Sequence, residues 1–180
     1  KIAPCTAACP IQVDARGYIA LISKGKFDEA LALVRQKNPF PGMTGRLCAR
    51  PCEKICRRGD VDQPIAIDLL KRFLADTEKA PSMDLAPGPE KKEKVAIVGS
   101  GPTGLMAAYE LRRYGYPVTL FEPLPVAGGT MAVGTGRFRL PEEVLNREIG
   151  IVEKLGAKFE LNKRIGDNIS LDDLKKKGYK

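Results

Sequence analysis

Histidine and tryptophan are both absent from the 180 residues. Without histidine there is no Ser-His-Asp or Cys-His nucleophile, no HExxH zinc site and no imidazole to ligate a metal or move a proton near neutrality. Cysteine does not occur after position 56, which confines thiol chemistry to the start of the chain. No apolar run approaches the ~18–20 residues that a membrane-spanning helix needs. The first ten residues hold two prolines and two cysteines in place of the apolar segment of a secretory leader, and the reading is a cytoplasmic protein. Aromatic residues are scarce, at 6%, and dispersed, with no helix-turn-helix or OB-like pattern. Nucleic acid is therefore not the expected partner, in spite of a net charge of +8.

What is present suffices for folding. With 43% hydrophobic and 29% charged residues the chain can bury a core, and its length suits one domain or two small ones. The first eighty residues read as helices. Asp14 caps a segment whose Tyr18, Ile19, Leu21 and Ile22 form an apolar face ending near Gly25. A second helix runs from Phe27, with Ala30, Leu31 and Val34 in helical spacing, to Asn38-Pro39. Pro64 opens a third, whose Ile65, Leu69, Leu70, Phe73 and Leu74 are expected to face inward. Between them, MTGRLCARPCEKICRRG is too rich in Cys and Arg to belong to the core.

From residue 81 to 93 the composition turns to Pro, Ser, Gly, Glu and Lys without periodicity, the signature of a linker. Beyond it the pattern becomes α/β: strand Val95–Val98, helix Pro102–Tyr114, strand Val118–Phe121, helix Glu142–Lys154 and a short strand Lys158–Leu161. The expected fold class is thus α plus α/β. A helical domain over 1–80 is followed by a partial Rossmann-like βαβ domain over 94–180.

Residues 99–104, GSGPTG, form a GxGxxG directly after a strand and at the start of a helix. In that setting Gly99 permits the tight turn, Gly101 lets the backbone approach a pyrophosphate and Gly104 allows close helix–strand packing. Ser100, Pro102 and Thr103 complete the turn, and the helix N-terminus supplies N–H groups and partial positive charge to phosphate. Glu122, at the end of the second strand, can accept bonds from ribose hydroxyls. A carboxylate there favours an unphosphorylated ribose, so FAD or NAD suits this turn better than NADP.

The five cysteines fall in two groups, Cys5 and Cys9 as CxxxCP, then Cys48, Cys52 and Cys56 as CxxxCxxxC. Clustering, an odd count and the lack of a leader favour a metal over disulfides. Thiolates converging from separate segments suit an iron-sulfur cubane, while zinc modules usually present CxxC knuckles. Arg46, Arg50, Lys54, Arg57 and Arg58 lie among these cysteines, where they offset the negative charge of such a cluster. Either one [4Fe-4S] cluster takes four of the five thiolates, or two clusters draw on ligands not all present here. All five cysteines remain candidate ligands.

Both halves together resemble the flavoprotein family that includes the glutamate synthase small subunit, the N-terminal region of dihydropyrimidine dehydrogenase and the FAD subunit of NADH-dependent ferredoxin:NADP oxidoreductase. The shared features are APCxxxCP at Ala3–Pro10, NPFPxxTGRxC at Asn38–Cys48, CExxC at Cys52–Cys56 and PxxIxxLxRF at Pro64–Phe73. In the second half they are the turn at Gly99–Leu105, Glu122, Gly128-Gly129, Gly134 and Arg139-Leu140-Pro141. The chain departs from the pattern at Thr135-Gly136, usually Ile-Pro, and at Lys71, where two-cluster members carry a Gln or Glu ligand.

The resemblance implies that FAD contacts Gly129, Thr130, Met131, Gly134 and Arg139, with Lys163 and Ile165 bordering its adenine. It implies one or two [4Fe-4S] clusters, an NAD(P)H-linked oxidoreductase of which this is an electron-transfer module, and a nicotinamide site in a segment absent from these residues. The implied partners are other redox subunits or the rest of the same polypeptide, with ferredoxin among the candidates. The rival expectation is an iron-sulfur docking subunit that lacks flavin chemistry.

Overall fold

Three short helices begin on proline, whose fixed φ and missing N–H suit the first helical position: α1 (Pro4–Ala8), α4 (Pro41–Leu47) and α5 (Pro51–Lys54). The computed structural model describes residues 2–78 and 86–180. It divides the chain into two units, Lys1–Asp84 and Leu85–Lys180. The first is helical throughout. Besides the three above it holds α2 (Ala15–Ile22), α3 (Phe27–Arg35), a 3-10 turn (Arg57–Asp60) and α6 (Ile67–Thr77). Asp14 caps α2, its carboxylate accepting from the Gly17 N–H at 3.0 Å. Gly25, at φ 71°, follows the end of α2.

Helices α2, α3 and α6 surround a core of Tyr18, Ala30, Leu31, Val34, Ile67 and Leu74, into which Cys52 also projects. Full burial of Leu31, Val34 and Leu74 contributes about 1.5–3 kcal/mol each. Helices α4 and α6 meet closely: a Cβ on Gly45 would lie 2.8 Å from the Arg72 Cβ. Two ion pairs lock the far side of α6, with Arg46 on Asp76 at 2.8 Å and a buried bidentate contact between Arg35 and Glu78.

Two expectations are corrected here. Ile65, Leu69 and Phe73 are 38%, 48% and 41% exposed, so they line an outer stripe instead of the core. The buried face of α6 is Ile67, Asp68, Lys71, Leu74 and Ala75. Leu74 is buried and Leu70 packs on the core as expected, while the polar pair Asp68 and Lys71 occupies the rest of the inward face. The Cys/Arg-rich segment is also not excluded from the interior, since Met43, Gly45 and Cys52 are buried.

The second unit is a parallel sheet with helices: β1 (Val95–Val98), α7 (Pro102–Arg113), β2 (Val118–Phe121), α8 (Thr130–Val133), α9 (Glu142–Lys154), β3 (Lys158–Glu160) and α10 (Leu171–Lys176). Strand order is β1-β2-β3, all parallel, with Ile97 opposite Leu120 and Leu120 opposite Phe159. The central strand β2 is buried at all four positions, as a strand covered on both faces should be. On the other edge of β1, Lys180 accepts from the Ala96 N–H and donates to the Lys94 carbonyl, giving a parallel bridge between Lys94 and Tyr179.

Part of the expected linker, residues 81–85, lies outside the described residues. Its remainder is bonded to the second unit, with the Gly88 N–H on the Arg112 carbonyl and the Lys91 N–H on the Gly115 carbonyl. Strand β3 stops one residue earlier than expected because Asn162 turns to φ 56°, its N–H donating to the Leu124 carbonyl.

Candidate cofactor sites

The cysteines sit at helix ends. Cys5 lies in α1 and Cys9 caps its C-terminus, Cys48 caps α4, Cys52 lies in α5, and Cys56 precedes the 3-10 turn. Packing of α1 on α5 brings Cys5 and Cys9 against the core cluster that contains Cys52. Burial pushes the Cys52 thiol from 9.0 up to about 11, and neighbouring charge on Cys48, Glu53 and Cys9 adds to the effect. Burial likewise raises the Tyr18 hydroxyl, helped by Cys52, Asp68, Cys5 and Cys9. That hydroxyl donates to the Ile67 carbonyl at 2.7 Å.

Cys9, Cys48 and Cys52 thus form one electrostatic neighbourhood, with Cys5 beside it. Cys56 lies two residues before Arg58, on whose guanidinium it acts. No cysteine is disulfide-bonded. Among the described residues, no three Cys, Asp or Glu side chains close on a point as a single metal ion requires. A cubane spreads its four ligands more widely than the ~3.8 Å sulfur separation implied by Zn–S bonds of about 2.3 Å. The donor set is right for such a cluster: free thiols from three segments, and a backbone N–H, that of Arg50, donating to Cys48 Sγ at 3.3 Å.

The interleaved cations do not act as a uniform positive shell. Arg46 and Arg58 are engaged by Asp76 and Asp62, while Arg50 reaches Asp68. Lys54 and Arg57 are exposed.

In the second unit the three turn glycines have separate jobs. Gly99 takes φ 92°. A Cβ on Gly101 would meet nothing within 4 Å, so that backbone faces open space that a phosphate can occupy. A Cβ on Gly104 would fall 2.0 Å from the Gly99 carbonyl oxygen, which fixes α7 against the turn. Pro102 and Thr103 are exposed at the start of α7. Gly129, at φ 56°, packs directly over the turn, its would-be Cβ 2.9 Å from the Gly101 Cα.

Glu122 is buried, and the protein already engages both its oxygens. Ser100 donates to Oε2 from its N–H at 2.8 Å and its hydroxyl at 2.7 Å, and the Leu124 N–H donates to Oε1 at 3.1 Å. Burial works to raise this carboxyl, but these bonds outweigh it and hold the group below its usual 4.5. The Ser100 hydroxyl also accepts from the Gly128 N–H at 3.1 Å. One side chain therefore joins the turn, the end of β2 and the Gly128-Gly129 segment. That role was not visible in the sequence, where a serine between two glycines carries no signal of its own.

The Lys163 N–H donates to the Glu122 carbonyl, which brings the 163 loop to the same place. Thr130, Met131 and Gly134 follow from Gly129 along α8, with Met131 buried. Arg139 is exposed just before α9, and Ile165 is half-buried and bridges to Ile169.

Comparison with known proteins finds a match in each unit. Residues 1–83 match the family described as dihydropyrimidine dehydrogenase domain II, 4Fe-4S cluster, and residues 97–154 match the NAD(P)-binding Rossmann-like domain. The two matches fall on the two halves whose motifs carry the resemblance drawn from the sequence. It is 43% identical over 197 residues to the NADP(+)-dependent formate dehydrogenase subunit beta of Moorella thermoacetica, covering 97% of this chain and 28% of that protein. It is 44% identical to the NADPH-Fe(3+) oxidoreductase subunit beta of Geobacter sulfurreducens, covering 97% and 27% respectively. To the NAD-dependent dihydropyrimidine dehydrogenase subunit PreT of Escherichia coli it is 39% identical, covering 96% and 43%. The chain thus spans less than half the length of these relatives. Among the described residues no helix is long and apolar enough to cross a membrane.

Proposed function

We propose that this chain is an electron-transfer module that holds a [4Fe-4S] cluster in its first unit and FAD in its second, within an NAD(P)H-linked oxidoreductase. The observation that carries the reading is the combination of a thiol group at Cys9, Cys48 and Cys52, adjoined by Cys5, with a glycine turn whose Gly101 faces open space. When bound, the flavin can take two electrons together and the cluster one at a time, so the pair converts hydride chemistry into single-electron transfer.

The residues of the chain then have definite tasks. The α7 N-terminus and Gly101 receive the pyrophosphate. Glu122 has about one lone-pair site left, on Oε1, for a ribose hydroxyl, because three of roughly four are engaged by Ser100 and Leu124. Cys9, Cys48 and Cys52 would hold the cluster, with Cys5, packed on the same core, as a fourth ligand, and the Arg50 N–H would stabilise added negative charge on Cys48 sulfur. FAD is preferred to NADP at the turn because a buried carboxylate repels a 2′-phosphate.

The test is anaerobic purification followed by iron, acid-labile sulfide and flavin analysis of the same sample. About four iron atoms per chain with stoichiometric FAD is the expected result. Iron without flavin, even with NAD bound instead, would replace the second half of the reading with a docking subunit or a nicotinamide site. Cys48→Ser and Cys52→Ser should each lower iron per chain.

A further inference from the structure

Asp68 is the most buried charged residue described in the first unit, 2% exposed, and nothing above gives it a task. Its main-chain N–H donates to Glu53 Oε1 at 2.8 Å. Its carboxylate pairs with Arg50 Nε at 3.4 Å and with Lys71 Nζ at 2.8 Å. The cations approach without hydrogen-bond alignment, so both carboxylate oxygens are buried without a hydrogen-bond partner. Such an arrangement is costly unless it holds something in place.

Arg50 and Glu53 flank Cys52 in the segment that carries Cys48 and Cys52. Arg50 adopts the left-handed region, φ 57° and ψ 46°, which side chains other than glycine rarely take. In that conformation its N–H points at Cys48 Sγ, 3.3 Å away. Both ends of the Arg50–Glu53 segment therefore terminate on one residue of α6.

We infer that Asp68 is a positioning residue for the iron-sulfur ligands. It fastens the turn between Cys48 and Cys52 from both sides and keeps the Arg50 N–H on the Cys48 sulfur. Lys71 balances its charge in the core. The inference rests on the proposal that Cys48 and Cys52 hold a cluster.

The experiment compares Asp68→Asn, Arg50→Ala, Arg50→Gly and the Arg50→Gly/Asp68→Asn double variant with the parent, all as the whole iron-loaded chain. The readouts are the rate of iron loss to a chelator and the midpoint potential from an EPR-monitored titration. Loss of an N–H···S bond lowers the potential, whereas simple loss of a nearby negative charge raises it. Asp68→Asn is expected to speed iron loss about tenfold and to lower the potential, and Arg50→Ala to do the same. Glycine reaches φ +57° without strain and keeps the N–H, so Arg50→Gly should lose iron at the parent's rate, and its potential should fall by less than that of Arg50→Ala, which loses the same cation. On that background Asp68→Asn should neither speed iron loss nor lower the potential.

A rise in potential for Asp68→Asn overturns the inference, because charge alone would then be felt. So does equal behaviour of Arg50→Ala and Arg50→Gly, a comparison that stands even if Asp68→Asn does not fold. A parent protein that takes up no iron would instead refute the cluster reading itself.

Discussion

Replacing Ser100 with alanine removes the atom that ties three segments of the dinucleotide site together. Ser100 is 0% exposed, and alanine fills nearly the same volume, so no cavity opens. Two bonds disappear: the hydroxyl to Glu122 Oε2 at 2.7 Å and the Gly128 N–H to the hydroxyl at 3.1 Å. Their remaining partners persist, since Oε2 keeps the Ser100 N–H and the Gly128 N–H keeps the Ser100 carbonyl. The loss is then one charge-assisted bond, about 1.5–3 kcal/mol, and one neutral bond, about 0.5–1.5 kcal/mol, without the further penalty of an orphaned group. Ser100→Ala should destabilise the second unit by about 2–4 kcal/mol, with a melting shift of about 4–8 °C per kcal/mol for a unit of this size. Four of the five tyrosines lie in that unit, so urea unfolding followed by tyrosine fluorescence reports on it. Flavin retention should weaken in parallel, because Glu122 and Gly128 lose their common anchor. A change under about 0.5 kcal/mol would refute the reasoning, since it would mean that Ser100 does not hold the site together.

Gly104→Ala places a Cβ 2.0 Å from a main-chain oxygen that has no room to retreat, so a cost at or above the upper end of the usual ~1–3 kcal/mol for overpacking is expected in thermal unfolding, together with loss of bound dinucleotide. Tyr18→Phe leaves the Ile67 carbonyl without its 2.7 Å donor in the core and should destabilise the first unit by about 1–3 kcal/mol by urea denaturation. The Glu122 carboxyl is depressed below 4.5 on folding, so its contribution is present above that pH and is lost as pH falls through the lower folded value. Acid titration of the second unit should show this loss, and Glu122→Gln should abolish it; an unchanged acid profile would count against the burial and bonding described.

The sequence was legible where one local rule decided the outcome. Strands β1 and β2 and helix α9 appear at the expected residues, because apolar runs and helical spacing suffice to define them. The glycine turn was readable because each glycine answers a local demand of backbone shape or approach. Helix α6 was misread for the opposite reason. Its inward face carries Asp68 and Lys71, and only their pairing with each other and with Arg50 makes that burial tolerable. A pairing across eighteen residues of sequence has no periodic signature. The short helices α1, α4 and α5 were missed as well, since at 5, 7 and 4 residues they have too few positions for a pattern.

Those short helices bear on how the two sites are built. Isolated helices below about 12–15 residues are marginal in water, so α1, α4 and α5 owe their form to what they pack against. Their cysteines sit at or near helix ends and gain fixed positions only through neighbours such as Tyr18, Asp68 and the α1–α5 contact. The second unit rests on α7 and α9, of 12 and 13 residues, and on a fully buried central strand. Its turn, the end of β2 and the Gly128 segment are tied together by hydrogen bonds among its own residues. Burial pushes the Cys52 thiol up to about 11, so a metal that took Cys52 as a thiolate ligand would have to release its proton. The two candidate sites therefore rest on different supports, tertiary packing of short helices in the first unit and a hydrogen-bonded turn on longer elements in the second.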